Sequence, residues 1–288
     1  MHNSRLVLGT VQLGMDYGVN NVHGAPSTDE AFAILDAASV GGINTFDTAA
    51  SYGAAEDILG EWISARGLKN DMHVITKIKG DDVTSEVAGS LARLRIERLD
   101  GCLLHAPENM YDANILNSLH EAKKTGSTSH IGVSVYDETD ALHALERGMD
   151  YIQVPYNAFD QRLDQGNFFS SAKDKGVTIF ARSPFLQGLL LMEPEKLPPH
   201  LSHARPYLET FTEIAKRHGL SQCAAAFGFS YLHCRADHIV FGVESLAQLK
   251  EILEVAGKMS TPAPWVDELA AAFKDVDRSV VDPRLWKK

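Results

Sequence analysis

The sequence predicts an α/β protein, a (β/α)8 TIM barrel, and three observations carry that prediction. Eight short β-branched apolar runs alternate with amphipathic stretches of helical period. Successive runs end at residues 47, 77, 105 and 134, intervals of 30, 28 and 29, which suits a repeated βα unit. The runs are apolar throughout, as strands are when helices cover a parallel sheet. A doubly wound open sheet is the alternative. It would favour a GxGxxG turn after the first strand, and LGTVQLG (8–14) is not one. No composition shift marks a domain boundary, so residues 1–288 are expected to form one barrel domain.

In chain order the strand-like runs are RLVLG (5–9), INTFD (43–47), HVITK (73–77), GCLLH (101–105), HIGVS (130–134), YIQVP (151–155), VTIFA (177–181) and HIVFG (238–242). A helical segment follows each. Residues 27–40 open with Ser27 and Glu30 as a capping box and stop at Gly41-Gly42. Residues 55–67 and 245–257 read as helices ending in glycine. Three segments exceed the minimal repeat: a loop over 10–26, a Pro-rich loop over 185–205, and an extra helix over 221–233. Long loops after strands lie on the catalytic face of such a barrel.

Composition narrows the partners. The chain carries 27 Lys and Arg against 38 Asp and Glu, so its net charge is 27 − 38 = −11. That argues against nucleic acid or anionic lipid as a general partner. There is no 18-residue apolar run, hence no expected membrane span, and MHNSRLVLGT lacks the apolar core of a signal peptide. Cys102, Cys223 and Cys234 are odd in number and irregularly spaced, which fits a reducing compartment and a cytoplasmic location. Cys223, His233, Cys234 and His238 match no common zinc spacing, so no metal is expected.

In a parallel barrel all strand C-termini open onto one face. The polar residues there are Asp47, Lys77, His105, Ser134 and Gln153, with Tyr52 five residues past Asp47. A phenol titrates near ~10 in water, and a neighbouring ammonium favours its phenolate form. A lysine taken out of water needs a partner charge, which Asp47 can supply. An imidazole can orient a substrate oxygen. This set can protonate a carbonyl oxygen while hydride reaches its carbon. No side chain delivers hydride, so a nicotinamide would.

Asp47, Tyr52, Lys77 and His105 resemble the catalytic tetrad of the aldo-keto reductases. The words INTFDTAASYGAAEDILG, VITKI, CLLHAP, IGVSV, IQVPYN and FGVESLAQLKEI agree, and RSPFLQGLL is similar to a bacterial-type subgroup. The resemblance runs from Leu8 to about Ala256. It implies Tyr52 as general acid, Lys77 and Asp47 as its tuners, and His105 as carbonyl orienter. It implies that Ser134 and Gln153 hold the nicotinamide carboxamide. It further implies cofactor contacts from Gly9, Thr10, Asp47, Ser183, Phe185 and Gln187. At the nucleotide's far end it implies Gly242, Gln248 and Glu251.

Two departures from the family pattern matter. Where the family often stacks a tyrosine on the nicotinamide, this chain has Arg182. A guanidinium could stack there too, or grip a phosphate or carboxylate of substrate or cofactor; an ion pair is the structural reading. NADPH-using relatives place basic residues where this chain has Gly242 and Gln248, with Glu244 close by and Ile252 in place of an asparagine. Gln248 would complete a capping box with Ser245. A carboxylate repels a 2′-phosphate. The cofactor is therefore expected to be NADP or NAD, without the usual preference for the phosphorylated form.

The candidate mouth residues are polar: Gln12, Tyr17, Tyr136 and Asn157 beside Tyr52 and His105, with Asp16, Asn20, Asn21 and His23 in the first loop. The expected substrate is thus a small polar or sugar-like aldehyde or ketone, or the corresponding alcohol. The rivals are a redox-neutral epimerase or lyase with a bound nicotinamide, and a non-enzymatic nucleotide-binding redox sensor.

Overall fold

The computed structural model describes residues 5–259 and 263–286. Residues 1–4, on which part of the amino-terminal reading rests, lie outside the described residues. Eight parallel strands close into a barrel in sequence order: β1 (Leu6–Gly9), β2 (Thr45–Asp47), β3 (His73–Ile78), β4 (Leu99–Leu104), β5 (Thr128–Ser134), β6 (Tyr151–Pro155), β7 (Thr178–Arg182) and β8 (His238–Gly242). The seam pairs Leu6 with Ile239 and Gly9 with Gly242. The Arg5 guanidinium sits beside this seam and donates to the carbonyls of Tyr231, Cys234 and Ala236.

The expected runs hold within a few residues. His105 lies one residue past β4, and Arg182 is the last residue of β7. A small apolar cluster of Val7, Ile75, Leu103, Phe180 and Val240, with Tyr151 against it, is separate from the main core. The larger core joins strands and helices through residues such as Leu8, Phe46, Trp62, Ile152 and Phe241. This division is what a closed barrel wrapped in amphipathic helices produces.

Helix boundaries follow local chemistry. Ser27 caps the helix Thr28–Val40, with the reciprocal bond from its own N–H to Glu30. The helix Ala55–Arg66 stops at Gly67. The helix Leu246–Lys258 differs from expectation, because it passes through Gly257 and is capped by Met259. Its start also differs. Ser245 accepts from the N–H of Gln248, but the Gln248 side chain accepts from Glu244, one residue before the cap. The loop over 10–26 contains a single helical turn, Val11–Gly14, and the loop over 185–205 is built from three 3-10 turns. Among the described residues no helix is long and apolar enough to cross a membrane.

Candidate active site

The strand C-termini open onto a cavity of about 600 Å³. Asp47 ends β2, and its side chain is buried. Lys77, near the end of β3, reaches it with an Nζ to Oδ2 distance of 2.6 Å and also donates to the Thr48 carbonyl at 3.1 Å. Burial opposes the ammonium, but the Asp47 carboxylate beside it, through its charge and its hydrogen bond, helps raise the Lys77 pKa above the usual lysine range. The other Asp47 oxygen accepts from Gln153 Nε2 at 2.7 Å. The carboxylate is thus held from two strands, with neither oxygen left bare.

Tyr52 stands in front of this group. Its ring centre is 5.1 Å from Lys77 Nζ, and the His105 ring meets it edge-on at 5.7 Å. Tyr52 and His105 line the cavity, whereas Lys77 lies behind its wall. His105 Nδ1 lies 3.2 Å from Ser51 Oγ. Burial, then the Lys77 charge, lowers the His105 pKa to about 4. The imidazole is therefore neutral at neutral pH. With Ser51 donating to Nδ1, the ring proton sits on Nε2.

The turn bearing Tyr52 is locked by packing. A Cβ on Gly14 would fall 2.1 Å from the Tyr52 carbonyl oxygen and 2.3 Å from Ala55 N. Gly53 has φ +57, and its added Cβ would lie 2.3 Å from Gly14 O. Two glycines let the first loop and the tyrosine turn touch backbone to backbone.

Most of the expected cofactor residues share this cavity. Gly9, Thr10, Ser134, Gln153, Ser183, Phe185, Gln187, Gly242, Gln248 and Glu251 all line it. Gln153 Oε1 is buried with no partner, as is Gln12 Oε1. An unsatisfied buried acceptor costs about 1–3 kcal/mol, so Gln153 is poised for an amide donor such as a carboxamide N–H. The loop after β7 is strained: Ser183, Leu186 and Gln187 have φ of +65, +47 and +55. Such outliers cluster at ligand sites. The donors and acceptors present fit a nicotinamide dinucleotide.

At the far end of the cavity, Glu244, Gln248 and Glu251 are joined by Ser221, Gln222 and Cys223 from the start of the helix Gln222–His233. Among the described residues no Lys lines the cavity, and Arg182 is the one Arg that does, at the opposite end beside Tyr136. The contribution of residues 221–223 was not foreseen from sequence; the extra helix before β8 was the available signal.

Gln12, Tyr17 and Tyr136 line the cavity as expected for substrate contacts. Tyr17 is raised to about 12 by burial first and then by Tyr52, so it is a neutral phenol. Asn157 departs from the expectation. It is fully buried, donates to the Ser183 carbonyl and accepts from Phe159 and Asp160, so it shapes the β6 loop rather than the cavity. Asp16, Asn20, Asn21 and His23 also stay outside the lining. Asp16 and Asn21 instead tie the first loop to itself, through Ala25, His23 and Gly24. A side chain with two acceptor or donor sites satisfies nearby backbone when a loop turns sharply.

A family model, Aldo/keto reductase family, matches residues 5–267. Aldo-keto reductase str7 of Strobilurus tenacellus is 29% identical over 202 residues, covering 64% of this chain and 57% of that protein's length. L-galactose dehydrogenase of Arabidopsis thaliana is 26% identical over 281 residues, covering 86% of this chain and 84% of that one. The solved holo form of aldo-keto reductase AKR11C1 from Bacillus halodurans superposes with a TM-score of 0.76 at 22% identity, covering 98% of this chain and 96% of that one.

Proposed function

The chain belongs to the aldo/keto reductase family and is an NAD(P)-dependent oxidoreductase, and from that premise we propose that it reduces a small polar or sugar-like carbonyl with Tyr52 as general acid. The observation that carries this reading is the buried chain Gln153–Asp47–Lys77 set directly behind Tyr52. The nicotinamide, when bound, supplies the hydride. Tyr52 gives its hydroxyl proton to the carbonyl oxygen, and the phenolate left behind is stabilised by the Lys77 ammonium. Asp47 keeps that ammonium charged and in place. His105, neutral, donates from Nε2 to the same oxygen and orients the carbonyl. Gln153 Oε1 and Ser134 would hold the carboxamide.

We infer further that NADH is preferred. A 2′-phosphate at the Glu244 and Glu251 end would meet two carboxylates and, among the described residues, no lining Lys or Arg. The polar character of Gln12, Tyr17 and Tyr136 supports a small hydrophilic substrate, and the likeness to an L-galactose dehydrogenase supports a sugar-like one.

The test is NADH consumption, followed optically, over a panel of small aldehydes, ketones and sugars. Tyr52→Phe should lower turnover by roughly 100- to 10,000-fold, the usual range for lost general acid catalysis. NADH binding, followed by nucleotide fluorescence, should persist. Equal turnover in Tyr52→Phe would remove Tyr52 from the mechanism. Product formed without net NADH loss would replace a reductase with a redox-neutral enzyme.

A further inference from the structure

We propose that Arg182 anchors an anionic group of the substrate, so that the carbonyl compound reduced at Tyr52 carries a carboxylate. This rests on the reductase reading above and narrows its substrate class.

Among the described residues the guanidinium is the one unneutralised cation of the site. Lys77 pairs with Asp47, Arg162 with Asp160, and Arg284 with Asp282, each at 2.6 to 2.8 Å. Arg182 makes only long contacts to neutral oxygens, 3.5 Å to Ser183 Oγ and 3.3 Å to the Val135 carbonyl. Its Nε is buried with no partner. The charge of Asp160 is felt there, but both Asp160 oxygens are already held by Arg162. An ion pair within the chain, the structural reading, therefore does not account for Arg182.

Its scaffold is set before any ligand arrives. Arg182 lies 4.7 Å from the Tyr136 ring centre, and the same ring carries Arg284 at 3.7 Å. Arg284 is fixed in turn by two bonds to Asp282. Arg182 lines the main cavity and also a smaller one next to it, closed by Asp282, Pro283 and Arg284. The site shares the cavity with the reacting centre, because Arg182, Tyr17, Tyr52 and His105 all line it. A ligand held there would place a carbonyl within reach of Tyr52, with the neutral Tyr17 phenol beside it.

The charge count favours carboxylate over phosphate. One unpaired guanidinium matches one negative charge, and a planar guanidinium meets the two oxygens of a carboxylate in matching geometry. A phosphate ester carries about −1.5 to −2 and would find, among the described residues, no second free cation lining either cavity.

The experiment compares isosteric pairs. Glyoxylate, succinic semialdehyde and glucuronate are each assayed against the matching amide with NADH, and against glucose 6-phosphate. The acid should exceed its amide by about 10- to 100-fold in kcat/KM for at least one pair, through KM, the size of a charge-assisted hydrogen bond. In Arg182→Gln that ratio should collapse toward one, and Arg182→Lys should restore part of it. The Kd for NADH should be the same in both variants, and melting temperature checks their folding. A raised NADH Kd with an unchanged acid-to-amide ratio would overturn the proposal and assign Arg182 to the cofactor. Preference for the phosphate ester would overturn the carboxylate. If nothing turns over, calorimetry of succinate with the NADH-loaded protein separates the two readings. Binding lost in Arg182→Gln keeps the anchor while the reductase fails, and no binding sinks both.

Discussion

Lys77 holds its ammonium 2.6 Å from the Asp47 carboxylate, with both side chains out of water. Such a pair adds little stability as a pair, but breaking it leaves a buried charge alone. Lys77→Met should therefore cost about 3–5 kcal/mol in urea unfolding, because Asp47 would keep only Gln153. The double variant Lys77→Met with Asp47→Asn should recover part of that stability and none of the activity. A double variant less stable than either single one would contradict this account.

His105 links the same pair to pH. Burial and then Lys77 take its pKa from 6.5 to about 4. Between those values the unfolded chain binds more protons than the folded one, so stability rises with pH. The protein should lose stability as pH falls from 6.5 toward 4, and the effect should level off below 4. Urea midpoints at pH 7, 5.5 and 4.5 measure it. In His105→Asn the slope over this window should be shallower, and an identical slope would place the titration elsewhere. Activity should likewise keep a neutral imidazole well below pH 6, so the acid limb of the rate profile should not reflect an ordinary histidine.

Glu244 lines the Glu251 end of the cavity, the end proposed for the nucleotide, and burial raises its pKa above the usual carboxylate range. It still opposes a phosphate there by charge and by desolvation. NADH should bind at least about tenfold more tightly than NADPH, a difference of about 1.4 kcal/mol. Glu244→Gln should narrow the gap by improving NADPH, with NADH little changed. Fluorescence titration of both nucleotides reads this directly, and tighter NADPH binding by the unaltered protein would reverse the inference.

The strands and the polar residues at their ends were legible because each depends on local pattern. A β-branched run followed by Asp47, Lys77 or Ser134 carries its own signal, and closure into a barrel then gathers the ends. What was not legible depends on contacts between distant segments. Asn157 reads as polar at a strand end, but only the β7 loop shows that its amide is spent on Ser183. Gln248 reads as a cap for Ser245, but the backbone turn offers it the N–H of Glu244 instead. The stacking of Arg284 on Tyr136 joins the carboxyl-terminal turn to the loop after β5, and no period or motif announces it.

Gly14 supplies the last test, because it couples packing to chemistry without touching the reacting atoms. An added Cβ would strike Tyr52 O at 2.1 Å, Ala55 N at 2.3 Å and Ala55 Cβ at 2.7 Å. Two of these are backbone atoms, which cannot swing aside as a flexible side chain would. Gly14→Ala should therefore push the Tyr52 turn off its position rather than be absorbed. Overpacking of this kind costs about 1–3 kcal/mol. A displacement near 1 Å of a catalytic group costs about 100-fold in rate. The variant should fold with a lowered melting temperature and lose far more in kcat than in NADH affinity. Alanine at this position with full kcat would show that the glycine contact does not set the place of Tyr52.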